Sequence, residues 1–150
     1  MLSRLNTPDR FFLISAIIFL AILSGLSFHI VETLNSEDSP DLVLYDYHTY
    51  DAILVLANPA FFVLLLILSN IGFVKYSRGF FFLITFFIFA VFTMIDYAYI
   101  SDAFFHFRKR SGMWKGEFSI TFLIGVILCV IAGAIALVNY LVLATIKKHK

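Results

Sequence analysis

Apolar residues in this chain form four long runs, with the polar residues collected between them. The runs cover residues 11–31, 52–74, 79–100 and 118–146. A hydrocarbon core of about 30 Å needs about 20 apolar residues at about 1.5 Å of rise each, so every run is long enough to cross a bilayer as a helix. Strands are disfavoured, because the runs lack the alternation of a barrel strand and an open sheet would leave backbone groups unpaired in lipid. The pattern predicts an all-α integral membrane protein, a single-domain bundle of four transmembrane helices.

Two of these helices are predicted to continue beyond the membrane on its outer side. The Ser-Pro-Asp sequence that ends at Asp41 is a helix-start signal, so the second helix is expected to carry an extension over residues 40–51. No helix breaker follows the third run until Gly112, which predicts an extension over residues 101–111. Residues 42–50 are rich in β-branched and aromatic residues, so a short strand or an irregular loop is the alternative there.

Composition agrees with a membrane location and excludes several partners. Hydrophobic residues make up 61% of the chain and charged residues 14%, with a mean hydropathy of +0.96. The 11 Lys and Arg residues nearly balance the 10 Asp and Glu residues, so no basic field predicts nucleic acid as a partner. The single cysteine, Cys129, excludes an internal disulfide and a cysteine-built metal cluster. We therefore expect the lipid bilayer as a partner, and neither a metal nor another cofactor.

Basic residues near the ends of the runs predict the orientation. Placing the N-terminus inside puts the larger set of Lys and Arg residues in the cytoplasm, which favours both termini there. We expect a multi-pass protein of the cell membrane, in a bacterial inner membrane, with a soluble protein partner at its basic cytoplasmic face. The cytoplasmic set is Arg4, Arg10, Lys75, Arg78, Lys147, Lys148 and Lys150, of which Lys75, Arg78, Lys147, Lys148 and Lys150 form the predicted partner contact, against Arg108, Lys109, Arg110 and Lys115 outside.

The two outer loops carry charges of opposite sign, acidic in the first and basic in the second. On helical rise, Asp41 lies level with Arg110. By the same count, Asp46 lies level with His106. We expect the loops to dock on each other, although each surface pair contributes only about 0–1 kcal/mol. The residues of this predicted charge pairing are Asp41, Asp46, Arg108, Lys109 and Arg110.

A polar belt is predicted in the outer half of the spans, formed by His29, Asn58, Pro59 and Asp96. Asp96 lies about 26 Å along its helix, near the outer boundary, where a carboxylate can reach headgroup water or mark a pairing or transport site. His29 has the same depth, so a contact with Asp96 is one hypothesis and a histidine wetted by headgroup water is the other. Pro59 removes one backbone hydrogen bond, which indicates either a gating hinge or a static packing kink.

Small residues recur at every fourth position of the last run, at Gly125, Cys129 and Gly133. Such spacing lets two helices approach closely, which is how spans associate in lipid. A helix of the same chain and a helix of another copy both fit the pattern. We expect a homo-oligomer with these residues at the helix-packing or oligomer interface.

Catalytic and nucleotide-binding motifs such as HExxH, GxSxG, Walker A and GxGxxG are absent from the sequence, so we expect no enzyme activity. The first functional hypothesis is a self-associating membrane sensor or scaffold subunit for a soluble cytoplasmic partner. Four-span components of bacterial anti-phage systems offer an architectural analogy. The alternatives are an immunity protein against a pore-forming toxin and a small oligomeric channel or transporter that uses the polar belt.

Overall fold

A computed structural model describes residues 7–76, 78–115 and 120–148, with side chains from Arg10 onward. These ranges contain four α-helices, each long and apolar enough to span a membrane, which confirms the prediction of four helices of transmembrane length. Residues 118 and 119, where the fourth run begins, lie outside the described residues. The helices are α1 (Thr7–Leu34), α2 (Pro40–Tyr76), α3 (Phe80–Arg110) and α4 (Ile120–Lys148).

The ends of α2 and α3 show why these helices are longer than the apolar runs. At the start of α2, the carbonyl of Ser39 accepts the N–H groups of Leu42 and Val43 at 3.0 and 3.1 Å. Proline at the first helical position loses no hydrogen bond, so residues 40–51 are helical and form no strand. Helix α3 ends just before Gly112, whose φ of +71° lies in the left-handed region that glycine adopts at low cost.

The four helices alternate in direction, so each end of the molecule carries four helix ends. α1 packs mainly on α2 and α4 mainly on α3, while α2 and α3 pack on each other and α1 also contacts α3. We call the end that holds the start of α1, the α2–α3 turn and the end of α4 the termini end. The other, which holds the start of α2 and the end of α3, is the extension end.

The core lies mainly between α1, α2 and α3, with Ala132 and Ala136 added by α4, and is built from aliphatic and aromatic side chains. Phe61 of α2 packs against the rings of Phe89 and Phe92 of α3, at centroid distances of 6.3 and 5.7 Å. Leu23 and Ile30 of α1 are fully buried in the same cluster. Large apolar side chains also cover the outside of every helix, as expected for surfaces that contact lipid.

Candidate functional site

Buried polar side chains from three helices lie together toward the extension end. Ser27 is on α1, Asn58 is on α2, and Thr93, Asp96 and Tyr97 are on α3. All five are buried in a bundle whose surroundings are apolar. We call these five residues the polar layer. Polar groups this deep in a membrane protein are costly unless they are hydrogen-bonded, so their partners decide what the layer does.

Two hydrogen-bonded pairs tie the helices together in the polar layer. The Ser27 hydroxyl lies 2.8 Å from Asp96 Oδ2, which joins α1 to α3. The Asn58 side-chain amide donates to the Tyr97 hydroxyl at 3.3 Å, which joins α2 to α3, and to the Leu54 carbonyl at 3.1 Å. In the described part of the chain, Asn58 Oδ1 and Thr93 Oγ1 are buried without a hydrogen-bond partner. The layer therefore combines satisfied interhelical ties with oxygens available to a further donor.

Of the two hypotheses for His29, the contact with Asp96 is not formed, and the exposed histidine is the one the structure shows. The His29 ring packs edge-on against Tyr50 at 4.7 Å, and its Nδ1 lies 3.9 Å from the Glu32 carboxylate. Side chains two positions apart on a helix point about 200° away from each other. Because Ser27 faces α3, His29 faces the exterior. The two belt residues of α2 also differ in burial. Asn58 is buried in the polar layer, and Pro59 is exposed.

A cleft opens above the polar layer at the extension end, between α2, α3 and α4. Its volume is about 560 Å³, and Tyr47, His48 and Asp51 of α2 line it together with Arg108 and Thr121. Pockets of roughly 300–1,000 Å³ with a few placed polar groups are typical of small-molecule sites. With the Asp51 carboxylate of α2 and the Arg108 guanidinium of α3 in its lining, the cleft is suited to a small polar ligand.

The cleft and the polar layer share one face of α2. Tyr47, Asp51, Leu54 and Asn58 recur at intervals of three and four residues, which places them in one stripe along the helix. The Tyr47 hydroxyl is hydrogen-bonded to Thr121 Oγ1 at 2.7 Å and ties α2 to α4. Asp51 Oδ1 is buried without a hydrogen-bond partner among the described residues. The stripe therefore leads from the cleft into the polar layer.

The predicted pairing of the outer charges is not formed in the described ranges. Arg110 donates to the Leu34 carbonyl at 2.8 Å and lies 3.5 Å from Asn35 Oδ1, so it caps the end of α1 and does not pair with Asp41. Carbonyls without a helical partner at a helix C-terminus attract a cation, which explains why Arg110 contacts the end of α1. His106 lies 3.7 Å from Asp102, one turn back on its own helix, and does not pair with the predicted partner. The acidic residues Asp41 and Asp46 and the basic Lys109 are exposed, and Arg108 donates to the Met113 carbonyl.

The small-residue stripe of α4 packs on α3 of the same chain. A Cβ atom at Gly125 would lie 2.9 Å from both Cβ and Cγ of Tyr97. A Cβ atom at Gly133 would lie 3.2 Å from the ring of Phe86, and Cys129 Sγ lies 3.9 Å from the Ala90 carbonyl. The stripe thus packs within the chain, which is one of the two roles that the spacing left open.

The basic residues predicted to contact a partner gather at the termini end. Lys75, Arg78 and Lys148 are exposed, and Lys147 Nζ lies 5.5 Å from the centroid of the Phe73 ring. Lys150 lies outside the described residues. These side chains come from the last turns of α2 and α4 and from the α2–α3 turn, so they lie at the same end of the bundle although they are far apart in the sequence.

Replacing Ser27 with alanine is expected to destabilise the bundle by about 1–2 kcal/mol, because Asp96 would lose its hydrogen bond from α1 while staying buried. Unfolding by a denaturing detergent, followed by circular dichroism, measures this change. Thr33→Ala is the control, since Thr33 donates only within its own helix, to the His29 carbonyl. Equal losses in the two variants would contradict an interhelical role for Ser27.

The sequence predicted Asn58 and Asp96 of the polar layer, but it missed Ser27 for a physical reason. Serine and threonine hydroxyls often donate a hydrogen bond to a carbonyl on the preceding turn of their own helix, as Ser27 also does to the Leu23 carbonyl. They therefore give no sequence signal inside an apolar run.

In the described ranges, no group of three or more His, Cys, Asp or Glu side chains could hold a metal ion. Comparisons with protein-family models, curated proteins and solved structures find no match, so the function has to be inferred from the cleft, the polar layer and the basic end.

Proposed function

We propose that this chain is a non-enzymatic membrane sensor subunit, in which the cleft takes up a small polar ligand and the termini end contacts a soluble cytoplasmic protein. The observation that carries the proposal is the continuity of α2 from Pro40 to Tyr76. This one helix holds Asp51 in the cleft, Asn58 in the polar layer and Lys75 at the basic end. Lys75 follows Asp51 by 24 positions, which is about 36 Å of helical rise and enough to connect the two faces of a membrane.

The contacts of α2 suggest how occupation of the cleft would reach the other end. Pro59 cannot donate a backbone hydrogen bond, so α2 bends more easily there than elsewhere. On the cleft side of this point, Tyr47 holds α2 against α4, and Asn58 holds it against Tyr97. A ligand bound to Asp51 stabilises the position of α2 in which the ligand makes more contacts. Binding therefore shifts the population of α2 conformations toward that position.

The orientation is part of the proposal, with both termini in the cytoplasm. Its support is the larger number of Lys and Arg residues at the termini end and the acidic first loop at the other. An inner-membrane location in a bacterium and a role in anti-phage defence remain predictions by architectural analogy. A homo-oligomer also remains a prediction, and its contacts would lie outside the stripe that Tyr97 covers.

Reversing two charges at the termini end is expected to reduce partner recovery at least tenfold. The variant is Arg78→Glu with Lys148→Glu, both exposed, and the readout is the set of soluble proteins that co-purify with the tagged chain. Each pair of close charges contributes to partner choice, and reversed charges repel a partner that the original ones attracted. The matched control is Lys109→Glu with Lys115→Glu, which changes the same number of exposed charges at the extension end.

The orientation of each variant is checked before partner recovery is compared, because reversed charges can invert a membrane protein. A cysteine replaces the exposed Ser39 in a chain whose Cys129 is changed to alanine. Labelling of intact cells by a membrane-impermeant maleimide is expected with and without the charge reversals. Equal partner recovery by the two charge variants, in this common orientation, would contradict the proposed contact surface.

A further inference from the structure

A second concave feature lies in the half of the bundle near the termini end, away from the cleft. It is a groove of about 380 Å³ between α1 and α3, with α2 as its floor. Its walls are apolar side chains such as Leu13 and Ile17 of α1 and Ile88 of α3, and its floor includes Leu65 and Leu68. We call it the α1–α3 groove. Lys75 lines it as well and is its cationic residue.

Specific contacts hold the groove open. In the extension half, the Ser27–Asp96 hydrogen bond draws α1 onto α3. In the termini half, α3 is held on α2 instead, through the hydrogen bond between Ser69 and Thr85. Helices α2 and α3, which form the floor and one wall, are therefore joined to each other without α1. A space is left between α1 and α3 in this half of the bundle.

Gly72 makes the floor of the groove possible. A Cβ atom at Gly72 would lie 2.7 Å from Cγ of Phe81, so the Phe81 ring lies directly over the α2 backbone. The same ring stacks on Tyr76 at a centroid distance of 5.6 Å. The stacked pair closes the groove at the termini end, beside Lys75. The end of the groove near the termini is thus formed by Gly72, the stacked rings of Tyr76 and Phe81, and the Lys75 cation.

The length of the groove matches one leaflet of a bilayer. Along the floor, Phe61 and Lys75 of α2 are 14 positions apart, which is about 21 Å of helical rise. Half of a bilayer that measures about 40–45 Å with its headgroups is about 20–22 Å. Lys75 therefore lies at headgroup level when Phe61 lies near the bilayer midplane. Lysine at this level extends its ammonium group toward the interface, and tyrosine beside it is typical of the same region.

We propose that the α1–α3 groove binds one phospholipid with an anionic headgroup. One acyl chain lies on the α2 floor between α1 and α3, and the headgroup phosphate accepts a hydrogen bond from the Lys75 ammonium group. The apolar walls match an acyl chain, and the Lys75 ammonium group attracts the phosphate of an anionic headgroup more strongly than a phosphate whose charge is offset by a choline cation. This inference does not rest on the proposed sensor function, since it involves neither the cleft nor a soluble partner, although Lys75 also belongs to the basic residues of the termini end.

The lipid-binding test compares the same bulky substitution at two adjacent positions of α1. Ile17 and Ile18 are 59% and 54% exposed, but only Ile17 lines the groove. The purified chain is incubated in detergent with phosphatidylglycerol, and bound lipid is counted by native mass spectrometry. We expect one lipid on the unchanged chain, at least fivefold less on Ile17→Trp, and no change on Ile18→Trp. Equal binding by the two variants, or no retained lipid on the unchanged chain, would overturn the proposal.

The headgroup contact is tested by Lys75→Gln, with Lys148→Gln as the control at the same end. We expect the ratio of phosphatidylglycerol to phosphatidylcholine of equal chain length to fall at least threefold in Lys75→Gln and to stay unchanged in Lys148→Gln. An unchanged ratio in Lys75→Gln would overturn the anionic specificity. A dimer of the unchanged chain that Ile17→Trp alone dissociates would identify a second copy as the occupant and would also overturn the proposal.

Discussion

Replacing Gly125 with leucine is expected to destabilise the bundle by about 3 kcal/mol, among the largest effects of any single change in this chain. The added side chain would begin 2.9 Å from Cβ and Cγ of Tyr97, which is fully buried and cannot swing away. Either α4 moves off α3 or Tyr97 leaves the polar layer. The measurement is the free energy of unfolding in a denaturing detergent, together with the mass of the detergent-solubilised protein.

Gly25→Leu is the matched control for this change. Gly25 is exposed, and nothing lies within 4 Å of a Cβ atom built there. Leucine also favours a helix over glycine by roughly 0.5–1 kcal/mol, so this variant is expected to be as stable as the unchanged chain or slightly more so. Gly133→Leu should fall between the two, because it meets the outer edge of the Phe86 ring. A Gly125 variant that unfolds normally but loses a subunit would contradict intrachain packing of the stripe.

Truncating Tyr97 to alanine is expected to cost about 3–5 kcal/mol of stability, the usual range for a large buried aromatic side chain. Tyr97 is 0% exposed, fills the space beside Gly125 and accepts a hydrogen bond from Asn58. Its loss would open a cavity between α2, α3 and α4. Unfolding in a denaturing detergent measures the cost, as for Gly125.

Two further variants separate the parts of this effect. Tyr99→Ala is the control, since Tyr99 lies on the same helix but is 49% exposed, and we expect it to cost less than about 1 kcal/mol. Tyr97→Phe keeps the ring and removes the hydroxyl, so it should cost about 1 kcal/mol through the lost bond from Asn58. Similar costs for Tyr97→Ala and Tyr99→Ala would show that Tyr97 is not a core residue.

The candidate site was only partly predictable from the sequence. Asn58 and Asp96 stand out because an amide and a carboxylate are rare inside apolar runs. Asp51 and Tyr47 lie at the edge of a run, where polar residues are ordinary, and only the packing of α2, α3 and α4 brings them to one cleft. The predicted partner of Arg110 was wrong because the carbonyls at the end of α1 compete with carboxylates for the guanidinium group.

The sequence alone determined the number, length and helical character of the four elements. Lipid requires each backbone polar group to be satisfied within its own segment, so a long apolar run has one stable form and its ends follow local signals such as Pro40 and Gly112. Only the tertiary structure decided which faces meet. Lipid is as apolar as the core, so buried and exposed positions carry the same residue types, and Gly25 and Gly125 look alike until α3 packs on one of them.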